Sequence, residues 1–448
     1  PMNADTISRI AEAVSRAYEE SGAVVYTVLV PSQDMSGGVL TITIIEGYIE
    51  QVTLAGEVEG QKLSLVRAYA EKLTEERPLT RPTLERYLSL MRDIPGLTVE
   101  AEFLNGQTRG GVRLALTLDQ DRIEVTSSLN TSGSSLLGRT QVTGQAEYYG
   151  LLRQGDRTTL AVTVPTSLDN FYYVAGSHRT PVGTEGMTAQ LRASYLESEP
   201  DSFPLKGEAT TAGLEVNYPL IRSYRQNLSA VMAADLLDST NAVLGRFFSS
   251  EHTRTLRAGL SWSKSGEKTF TRAGGVVSGG IDGLGAKVNP LLGEEGFLKL
   301  SLNAAHNRVL DDTIAIRLKT AGQIAANDLP LSEAYSVGGL QFGRAFSSAL
   351  LQGDHALAGS AELAWIPEFF KGDFSGSEIY VFTDAAEVWR RARPLSASSS
   401  DSLASAGAGF RLAYDESVVG LEFAKGIDTP ETLTSGAWRV LLSWTIRP

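Results

Sequence analysis

The segment Trp438–Ile446 of the sequence, WRVLLSWTI, alternates apolar and polar side chains along most of its length. Successive side chains of a β-strand point to opposite faces of the sheet, so a strand here has one apolar and one polar face. The apolar face carries Trp438, Val440, Leu442, Trp444 and Ile446. Arg439, Ser443 and Thr445 lie on the polar face. This pattern and length are typical of a tilted strand that crosses a bilayer.

Segments with the same alternation recur from about Arg122 to Ile446, for example at 160–164, 256–263 and 298–303. Strands of a soluble sandwich average about five or six residues, whereas many of these segments run for about ten, the length that a membrane-crossing strand needs. Tyrosine and tryptophan near several segment ends match the aromatic girdles of outer-membrane barrels. About sixteen candidate strands, an even number as such barrels require, predict an antiparallel transmembrane β-barrel over residues 121–448.

The composition of the 448 residues agrees with such a barrel and argues against other classes of protein. No run approaches the 18 apolar residues of a membrane helix, while alternating strands leave the mean hydropathy close to zero. The net charge of -12 argues against a nucleic-acid partner. Cysteine is absent, which excludes disulfides and thiolate metal sites and suits a protein of the cell envelope.

Residues 1–120 show helical spacing mixed with short strands, which is typical of small α+β modules with helices packed on one side of a sheet. Residues 48–120 (module 2) predict strand, helix, helix, strand, strand, and residues 1–47 (module 1) predict the same unit without its first strand and helix. The predicted helices span 6–21, 63–73 and a segment opened by Thr80 and Pro82. The predicted strands span 24–30, 39–45, 48–54, 97–104 and 112–118. Either the modules have a purely structural purpose, or an outer strand pairs with an incoming extended peptide.

A glycine-rich stretch lies within the predicted barrel at Tyr335–Leu363, YSVGGLQFGRAFSSALLQGDHALAGSAEL. We interpret residues of about 326–355 as a long loop between strands eleven and twelve, followed by a strand over 356–366 that turns Glu362 toward the lumen. Because glycine lets backbone approach backbone closely, the Gly338-Gly339 pair allows the loop to carry Arg344 into a narrow space. Because the arginine is charged, such a space would have to contain a carboxylate that pairs with it.

The next predicted strand, 377–386, supplies a carboxylate on its inward face, where Tyr380, Phe382 and Asp384 alternate with outward residues. Arg344 and Asp384 are therefore expected to meet inside the barrel as a desolvated, charge-assisted pair. Removal of one partner would leave a buried charge at a cost of about 3 to 5 kcal/mol. In the alternative arrangement, Arg344 lies on an exposed extracellular loop.

These residues resemble the two-partner secretion transporters (TpsB family), outer-membrane barrels with periplasmic POTRA modules in the superfamily of the barrel-assembly insertase. In that family the sixth extracellular loop folds into the lumen and carries Val-Arg-Gly-Tyr/Phe after a Gly-Gly pair. Gly338-Gly339 match the pair, Arg344 the arginine and Phe346 the aromatic residue. Gly343 and Ala345 replace the usual valine and second glycine. We call residues 326–355 loop 6.

The resemblance extends over nearly the whole chain. Phe382-Thr383-Asp384 is similar to the strand motif whose aspartate holds the loop arginine, which makes Phe382 and Asp384 the implied barrel-wall partners. The other matching segments are Pro31–Gln33, Glu46–Gly47, Arg77–Leu79, Asp93–Gly96, Tyr218–Leu220, Leu351–Asp354 and Ser360–Leu363. Module 1 is incomplete and the family's amino-terminal plug helix is missing. We interpret Pro1-Met2 as a processed or truncated end, and the chain ends at Pro448 rather than on the family's usual phenylalanine.

The resemblance implies translocation of a partner exoprotein (TpsA) from the periplasm to the cell surface in type V secretion, without nucleotide hydrolysis. The POTRA modules would bind the unfolded exoprotein in the periplasm, and the barrel would lie in the bacterial outer membrane as a monomer. Since loop 6 obstructs the lumen, it would have to move during transport. The alternatives are a barrel-assembly insertase, which usually has more POTRA modules, and a passive porin or uptake channel, which needs neither these modules nor an anchored loop.

The sequence carries no pattern of an enzyme or a cofactor site. The four histidines lie far apart in the sequence, without the spacing of metal ligands: His178, His252, His306 and His355. Neither a phosphate-binding Gly-Lys-Ser/Thr loop nor a Gly-x-Ser-x-Gly nucleophile elbow is present. We therefore expect no catalytic residues, no metal and no cofactor.

Overall fold

The computed structural model describes residues 4–56, 63–134, 137–200, 205–243, 246–370, 372–430 and 437–447. The expectations about Pro1-Met2 and Pro448 concern residues outside these ranges. Two small amino-terminal units precede a closed β-barrel.

Module 1 contains helix α1 (Ala4–Glu20) and the antiparallel strands β1 (Tyr26–Leu29) and β2 (Thr43–Glu46). Module 2 contains β3, α2, α3, β4 and β5, in the order that the sequence predicts. Their bounds are Tyr48–Ala55, Ser64–Glu75, Arg81–Arg92, Leu97–Asn105 and Gly111–Gln120. In the sheet order β3-β5-β4, β5 runs parallel to β3 and antiparallel to β4, which leaves β4 at one edge.

Module 2 has its own apolar core, because both helices place one apolar face against the sheet. Val66, Tyr69 and Leu73 of α2 and Leu84, Leu88 and Met91 of α3 pack on Leu114, Leu116 and Leu118 of β5. Burial raises the pKa of Tyr69 to about 12. The helices therefore cover one face of the sheet and leave the other open.

Sixteen antiparallel strands form the barrel, which confirms the predicted architecture. The first eight are β6 (Ile123–Asn130), β7 (Gln141–Tyr149), β8 (Arg157–Pro165), β9 (Phe171–Val182), β10 (Met187–Ser198), β11 (Leu205–Arg222), β12 (Gln226–Val243) and β13 (Arg246–Ser265). The others are β14 (Thr269–Gly280), β15 (Leu298–Val309), β16 (Ile314–Ala325), β19 (His355–Trp365), β20 (Glu378–Arg390), β21 (Ser399–Tyr414), β22 (Ser417–Asp428) and β23 (Trp438–Ile446). Pairing of β6 with β23 closes the barrel.

Alternation along each strand separates an apolar outer face from an inner one, as the sequence pattern predicts. On β19, Leu357, Leu363 and Trp365 are exposed on the outside, whereas Ala358, Glu362 and Ala364 are buried inside. On β23, Trp438, Val440, Leu442 and Trp444 are exposed. Within the described ranges, none of the helices combines the length and the apolar character that a membrane crossing requires.

Module 2 rests on the barrel through the short turns between β7 and β8, β9 and β10, and β11 and β12. The Gln154 side-chain oxygen accepts the N–H groups of Leu65 (2.8 Å) and Val66 (3.3 Å), at the start of α2. Arg222 forms two hydrogen bonds of 2.6 Å with Asp93. These polar contacts tie the two helices of module 2 to the rim of the barrel.

The turn between β9 and β10 adds a further contact with α3. The Tyr87 hydroxyl donates to the Glu185 carboxylate at 3.2 Å, and burial together with that carboxylate raises the pKa of the tyrosine. Arg86 donates to the carbonyls of Glu185 (2.9 Å) and Pro219 (3.2 Å). Loop 6 begins at the opposite end of the barrel, after β16.

Candidate functional site

Loop 6 joins the eleventh and twelfth barrel strands, β16 and β19, and its tip is buried. Arg344 is only 4% exposed and Phe346 2% exposed. The short strands β17 (Tyr335–Val337) and β18 (Leu351–Gly353) pair at its base. Loop 6 thus enters the barrel as a hairpin, which excludes the alternative of an arginine on an exposed extracellular loop.

The tip of loop 6 is closed by its own backbone. Gly338 N–H donates to the Phe342 carbonyl at 2.8 Å, and Phe346 N–H donates to the Gly343 carbonyl at 2.9 Å. Gly343 has a φ of +92°, and a Cβ there would lie 2.6 Å from Leu403 Cδ1. Glycine in place of the family's valine is therefore what this turn requires.

Arg344 meets three carboxylates of the barrel wall. Its Nη1 donates to Glu422 at 3.0 Å and to Glu362 at 3.3 Å, while its Nε lies 3.6 Å from Asp384 Oδ2. The guanidinium carbon sits 4.0 Å from the centre of the Phe382 ring. Strands β19, β20 and β22 together surround one positive charge with negative charges and an aromatic face.

Asp384 holds the backbone of loop 6 as well as facing its arginine. Its Oδ1 accepts the Gly343 N–H at 2.7 Å and the Ser405 hydroxyl at 2.5 Å. No hydrogen bond joins Asp384 Oδ2 to Arg344 Nε, although both atoms are buried. The predicted pair of Arg344 and Asp384 is thus an ion pair, whereas the guanidinium donates its hydrogen bonds to the two glutamates and, at 3.4 Å, to the Ser360 hydroxyl.

Two further arginines and one further glutamate extend the charge cluster beyond Glu362. Arg317 donates to Glu362 at 2.7 Å and to Glu378 at 2.5 Å. Arg411 donates to Glu362 at 2.9 Å and also contacts Glu378. Together with Arg344, three guanidinium groups face four carboxylates, so each charge in this lumen cluster depends on the others.

Two glycines of β21 make room for the aromatic side chains of β20. A Cβ at Gly407 would lie 2.6 Å from the Phe382 ring, and one at Gly409 would lie 2.7 Å from Tyr380. Because these rings lie against bare backbone, they can also stack on the arginines: Arg411 lies 3.9 Å from the Tyr380 ring centre. The Tyr380 hydroxyl donates to Glu422 at 2.8 Å.

The structure thus brings the sequence-predicted residues Arg344, Glu362, Phe382 and Asp384 into one cluster. Phe346 and the Gly338-Gly339 pair lie beside it in the tip. The sequence reasoning missed Glu422, Glu378, Arg317 and Arg411. Alternation along β22 was a usable signal for Glu422, which lies on the inward face of that strand with Ala424.

Loop 6 has a second anchor of opposite polarity near its start. Glu333, 5% exposed, accepts from Arg257 at 2.6 Å and lies 2.9 Å from Lys299 Nζ. Its backbone carbonyl accepts from Lys299 at 2.6 Å. An acid of the loop is therefore held by cations of β13 and β15, while the arginine of the tip is held by acids of other strands.

A third contact fixes the end of loop 6 to the connection between β20 and β21. Asp354 accepts the N–H groups of Leu329 (2.9 Å) and Arg391 (2.8 Å) and the guanidinium of Arg393 (2.7 Å). Base and tip are thus fastened to different parts of the barrel. In the described part of the chain, no group of three or more histidine or acidic side chains is arranged so that it could hold a metal ion.

The family model for the haemolysin secretion/activation proteins ShlB/FhaC/HecB matches residues 110–412. The chain belongs to this family. The ShlB-type POTRA domain model matches residues 1–47. Proteins of the ShlB/FhaC/HecB family are transporters with a periplasmic POTRA region and a barrel in the outer membrane.

Curated relatives cover most of this ShlB-type chain at low identity. The heme/hemopexin transporter protein HuxB of Haemophilus influenzae is 21% identical over 348 residues, which cover 75% of this chain and 61% of HuxB. The outer membrane transporter CdiB of Dickeya dadantii is 23% identical over 384 residues, 81% of this chain and 67% of CdiB. The alignment thus spans about three fifths of the length of HuxB.

Solved structures share the fold over the whole chain. CdiB from Escherichia coli superimposes with a TM-score of 0.82 at 18% identity, covering 100% of this chain and 85% of CdiB. BamA from Haemophilus ducreyi lacking POTRA domains 1-3 gives a TM-score of 0.59 at 14% identity, covering 100% and 94%. The shared fold is a barrel with POTRA modules at its amino terminus.

Proposed function

We propose that this protein translocates a partner exoprotein of the TpsA type from the periplasm to the cell surface, without nucleotide hydrolysis and without enzymatic activity. The observation that carries the proposal is the placement of loop 6, a buried hairpin held in the lumen by non-covalent charge contacts. Such contacts can be broken and remade, whereas a covalent link between the loop and the wall could not. The membership in a family of transporters supports the same function.

Loop 6 is the element that has to move when an extended chain crosses the barrel. Withdrawal of Arg344 exposes Glu422, Glu362 and Asp384 to the lumen, where water can solvate them as the loop leaves. This exchange lowers the cost of breaking the buried contacts, because the charges never remain in a dry interior without partners. Gly338, Gly339, Arg344 and Phe346 are thus proposed as the gating motif, with Asp384, Phe382 and Glu362 as its partners on the wall.

Module 2 is proposed as the binding surface for the unfolded exoprotein. Strand β4 lies at the edge of the sheet and pairs on one side only, with β5. An extended segment of the exoprotein can add to that edge through backbone hydrogen bonds, which require little sequence identity. Folding at the cell surface would supply the direction of transport, and a single closed barrel acting as a monomer provides the path.

A barrel-assembly insertase is the second candidate, and one observation favours it. The ladder between β6 and β23 has only four register pairs, so the barrel wall is weakest where an insertase would have to open. The CdiB transporter superimposes better than BamA, with TM-scores of 0.82 and 0.59. We therefore place exoprotein transport first, ahead of the insertase and of a passive porin.

Secretion of a co-expressed exoprotein tests the proposal. A large secreted β-helical protein, sought in the neighbouring reading frame, would serve as the substrate and would be followed by immunoblotting in periplasm, cell surface and medium. Exoprotein transport predicts that deletion of this protein retains the substrate in the periplasm while the other barrels of the outer membrane assemble normally. A general loss of folded outer-membrane barrels would instead identify an insertase, and surface exoprotein in the deletion strain would contradict both.

A further inference from the structure

The ladder that closes the barrel, here called the seam, is the shortest among the described barrel strands. Four pairs join Ser127–Asn130 of β6 to Ser443–Ile446 of β23, whereas the next shortest ladder, β8 with β9, has seven. One further contact extends the seam: Thr131 N–H donates to the Leu442 carbonyl at 2.9 Å. Residues 438–441 of β23 therefore lie beyond the last point at which the two strands pair, at the end of the barrel where loop 6 enters.

Arg439 spans this unpaired part of the seam from the inner face of β23. Its Nη1 donates to the Phe346 carbonyl of loop 6 at 2.6 Å. Its Nη2 donates to the Gly133 carbonyl at 2.8 Å and to the Thr131 carbonyl at 3.4 Å. One side chain thus joins three segments: the last strand, the connection after the first strand, and the tip of loop 6.

The contacts of Arg439 are with carbonyl oxygens alone. Among the described residues, no carboxylate lies within ion-pairing distance of its guanidinium, although Arg344 has three such neighbours. The stabilisation of a half-buried cation that is held only by neutral dipoles depends on how many of these dipoles it contacts. If loop 6 leaves, Arg439 loses its shortest hydrogen bond, and the remaining two contacts belong to the seam itself.

The tip of loop 6 also contacts the wall on either side of the seam without Arg439: β22, which pairs with β23, and the connection after β6. Phe346 packs against β22, where a Cβ at Gly426 would lie 2.9 Å from its ring. The Ser348 hydroxyl donates to the Ser132 carbonyl at 3.3 Å, on the β6 side. The tip therefore bridges the lumen cluster around Arg344 and the open end of the seam.

We infer that Arg439 couples the position of loop 6 to the closure of the seam, as a positioning residue that acts through Phe346. With loop 6 inside, Arg439 draws the connection after β6 toward β23 and protects the short ladder. Withdrawal of the loop removes the Phe346 carbonyl, and the upper part of the seam loosens. The lumen and the wall thus open together, so a bulky segment of a passing chain gains width at the moment the loop makes way. The use of this coupling rests on the proposed transport function, but the coupling itself does not.

Hydrogen exchange of backbone amides, followed by mass spectrometry on the purified full chain in detergent, tests the coupling. The exchange rate of a ladder amide reports how often that ladder opens. Arg439→Gln is expected to speed exchange in peptides covering 127–131 and 442–446 by about tenfold, the factor for the loss of a hydrogen bond to a charged group. Arg344→Gln, which frees the tip at a distance from the seam, is expected to have a similar effect. The double variant is expected to add little to either, because both act through the same contact.

The control variant is Arg272→Gln, which removes an arginine from β14, on a part of the wall away from the seam. It should leave seam exchange unchanged, and all variants should leave exchange in the long ladder of β12 and β13 unchanged. Native seam exchange in Arg439→Gln would overturn the role of this arginine. Fast exchange in Arg439→Gln but native exchange in Arg344→Gln would overturn the coupling to loop 6. Failure of the native protein to secrete an exoprotein would contradict the proposed function. It would not change the exchange rates, which test the coupling separately.

Discussion

Asp384 accepts the backbone N–H of Gly343 at 2.7 Å. This contact is shorter than the 3.6 Å that separates its other oxygen from Arg344 Nε. The aspartate therefore fixes the turn that presents the arginine, while the guanidinium donates hydrogen bonds to Glu362, Glu422 and the Ser360 hydroxyl. Anchoring of loop 6 is thus divided between a backbone contact, which needs an acceptor, and a charge contact, which needs negative charge.

This division predicts different outcomes for two substitutions at Asp384. Asp384→Asn keeps an acceptor for Gly343 N–H and the Ser405 hydroxyl, so loop 6 is expected to stay in place. Asp384→Ala leaves both donors buried without a partner, at about 1 to 3 kcal/mol each, and is expected to release the tip. Single-channel conductance of the purified barrel in planar bilayers measures the difference, with larger and more frequent openings for the alanine variant alone. An equal increase of conductance in both variants would show that charge, rather than the acceptor, holds the turn.

Removal of the arginine tests the charge contact. Arg344→Ala leaves Glu362, Glu378, Asp384 and Glu422 with only Arg317 and Arg411, at a cost of about 3 to 5 kcal/mol. Because Arg344 takes no part in the strand ladders, the barrel is expected to assemble, while secretion of the partner exoprotein falls sharply. Immunoblots of the medium and the heat-dependent gel mobility of the folded barrel measure the two properties.

A double variant separates anchoring of the loop from stability of the barrel. Arg344→Ala with Glu422→Gln removes one of the uncompensated charges, so the thermal midpoint of the barrel is expected to rise above that of Arg344→Ala. Secretion is expected to stay low, since the tip still lacks its guanidinium. Recovery of secretion along with stability would mean that Arg344 serves the barrel and not the position of loop 6.

Alternation of side chains explains why so much of the barrel was predictable. The inward positions of Phe382, Asp384 and Glu362 follow from the two-residue period of a strand, which is a local property. The order of elements in module 2 follows from local spacing in the same way. Local periodicity says less about where a strand ends: β12 and β13 have 18 and 20 residues, whereas a membrane crossing needs about ten.

Apart from Asp384, the partners of the buried charges were not predictable, because they depend on the curvature and register of the closed wall. Arg344 meets Glu422 from a position 78 residues away in the chain, and Glu333 meets Arg257 from 76 residues away. Several inward carboxylates could have met Arg344 by alternation alone. Alternation along the predicted strand 377–386 pointed to Asp384, as did the resemblance to a family, but neither gave an indication of the anchor at Glu333.

The anchor at Glu333 predicts strong coupling with Lys299. Each single substitution, Glu333→Gln or Lys299→Gln, leaves one buried charge with fewer partners and is expected to lower the resistance of the barrel to guanidinium. The double substitution is expected to cost less than the sum of the two, with a coupling of about 0.5 to 3 kcal/mol. Additive losses would indicate that Arg257, at 2.6 Å, holds Glu333 without help from the lysine.

The edge of module 2 gives the last prediction, which concerns the exoprotein itself. Glu100 is exposed on β4, the strand that pairs with β5 on one side only. A photo-crosslinker at Glu100 is therefore expected to capture the exoprotein while it is in the periplasm. The same group at Glu71, exposed on α2 of the same module, is the matched control and is expected to capture much less. Since both sites share one module and one concentration of substrate, a difference in yield reports the geometry of binding rather than its strength. Equal yields would contradict binding at the β4 edge. Capture at Glu71 alone would show that the exoprotein binds the helical face of the module.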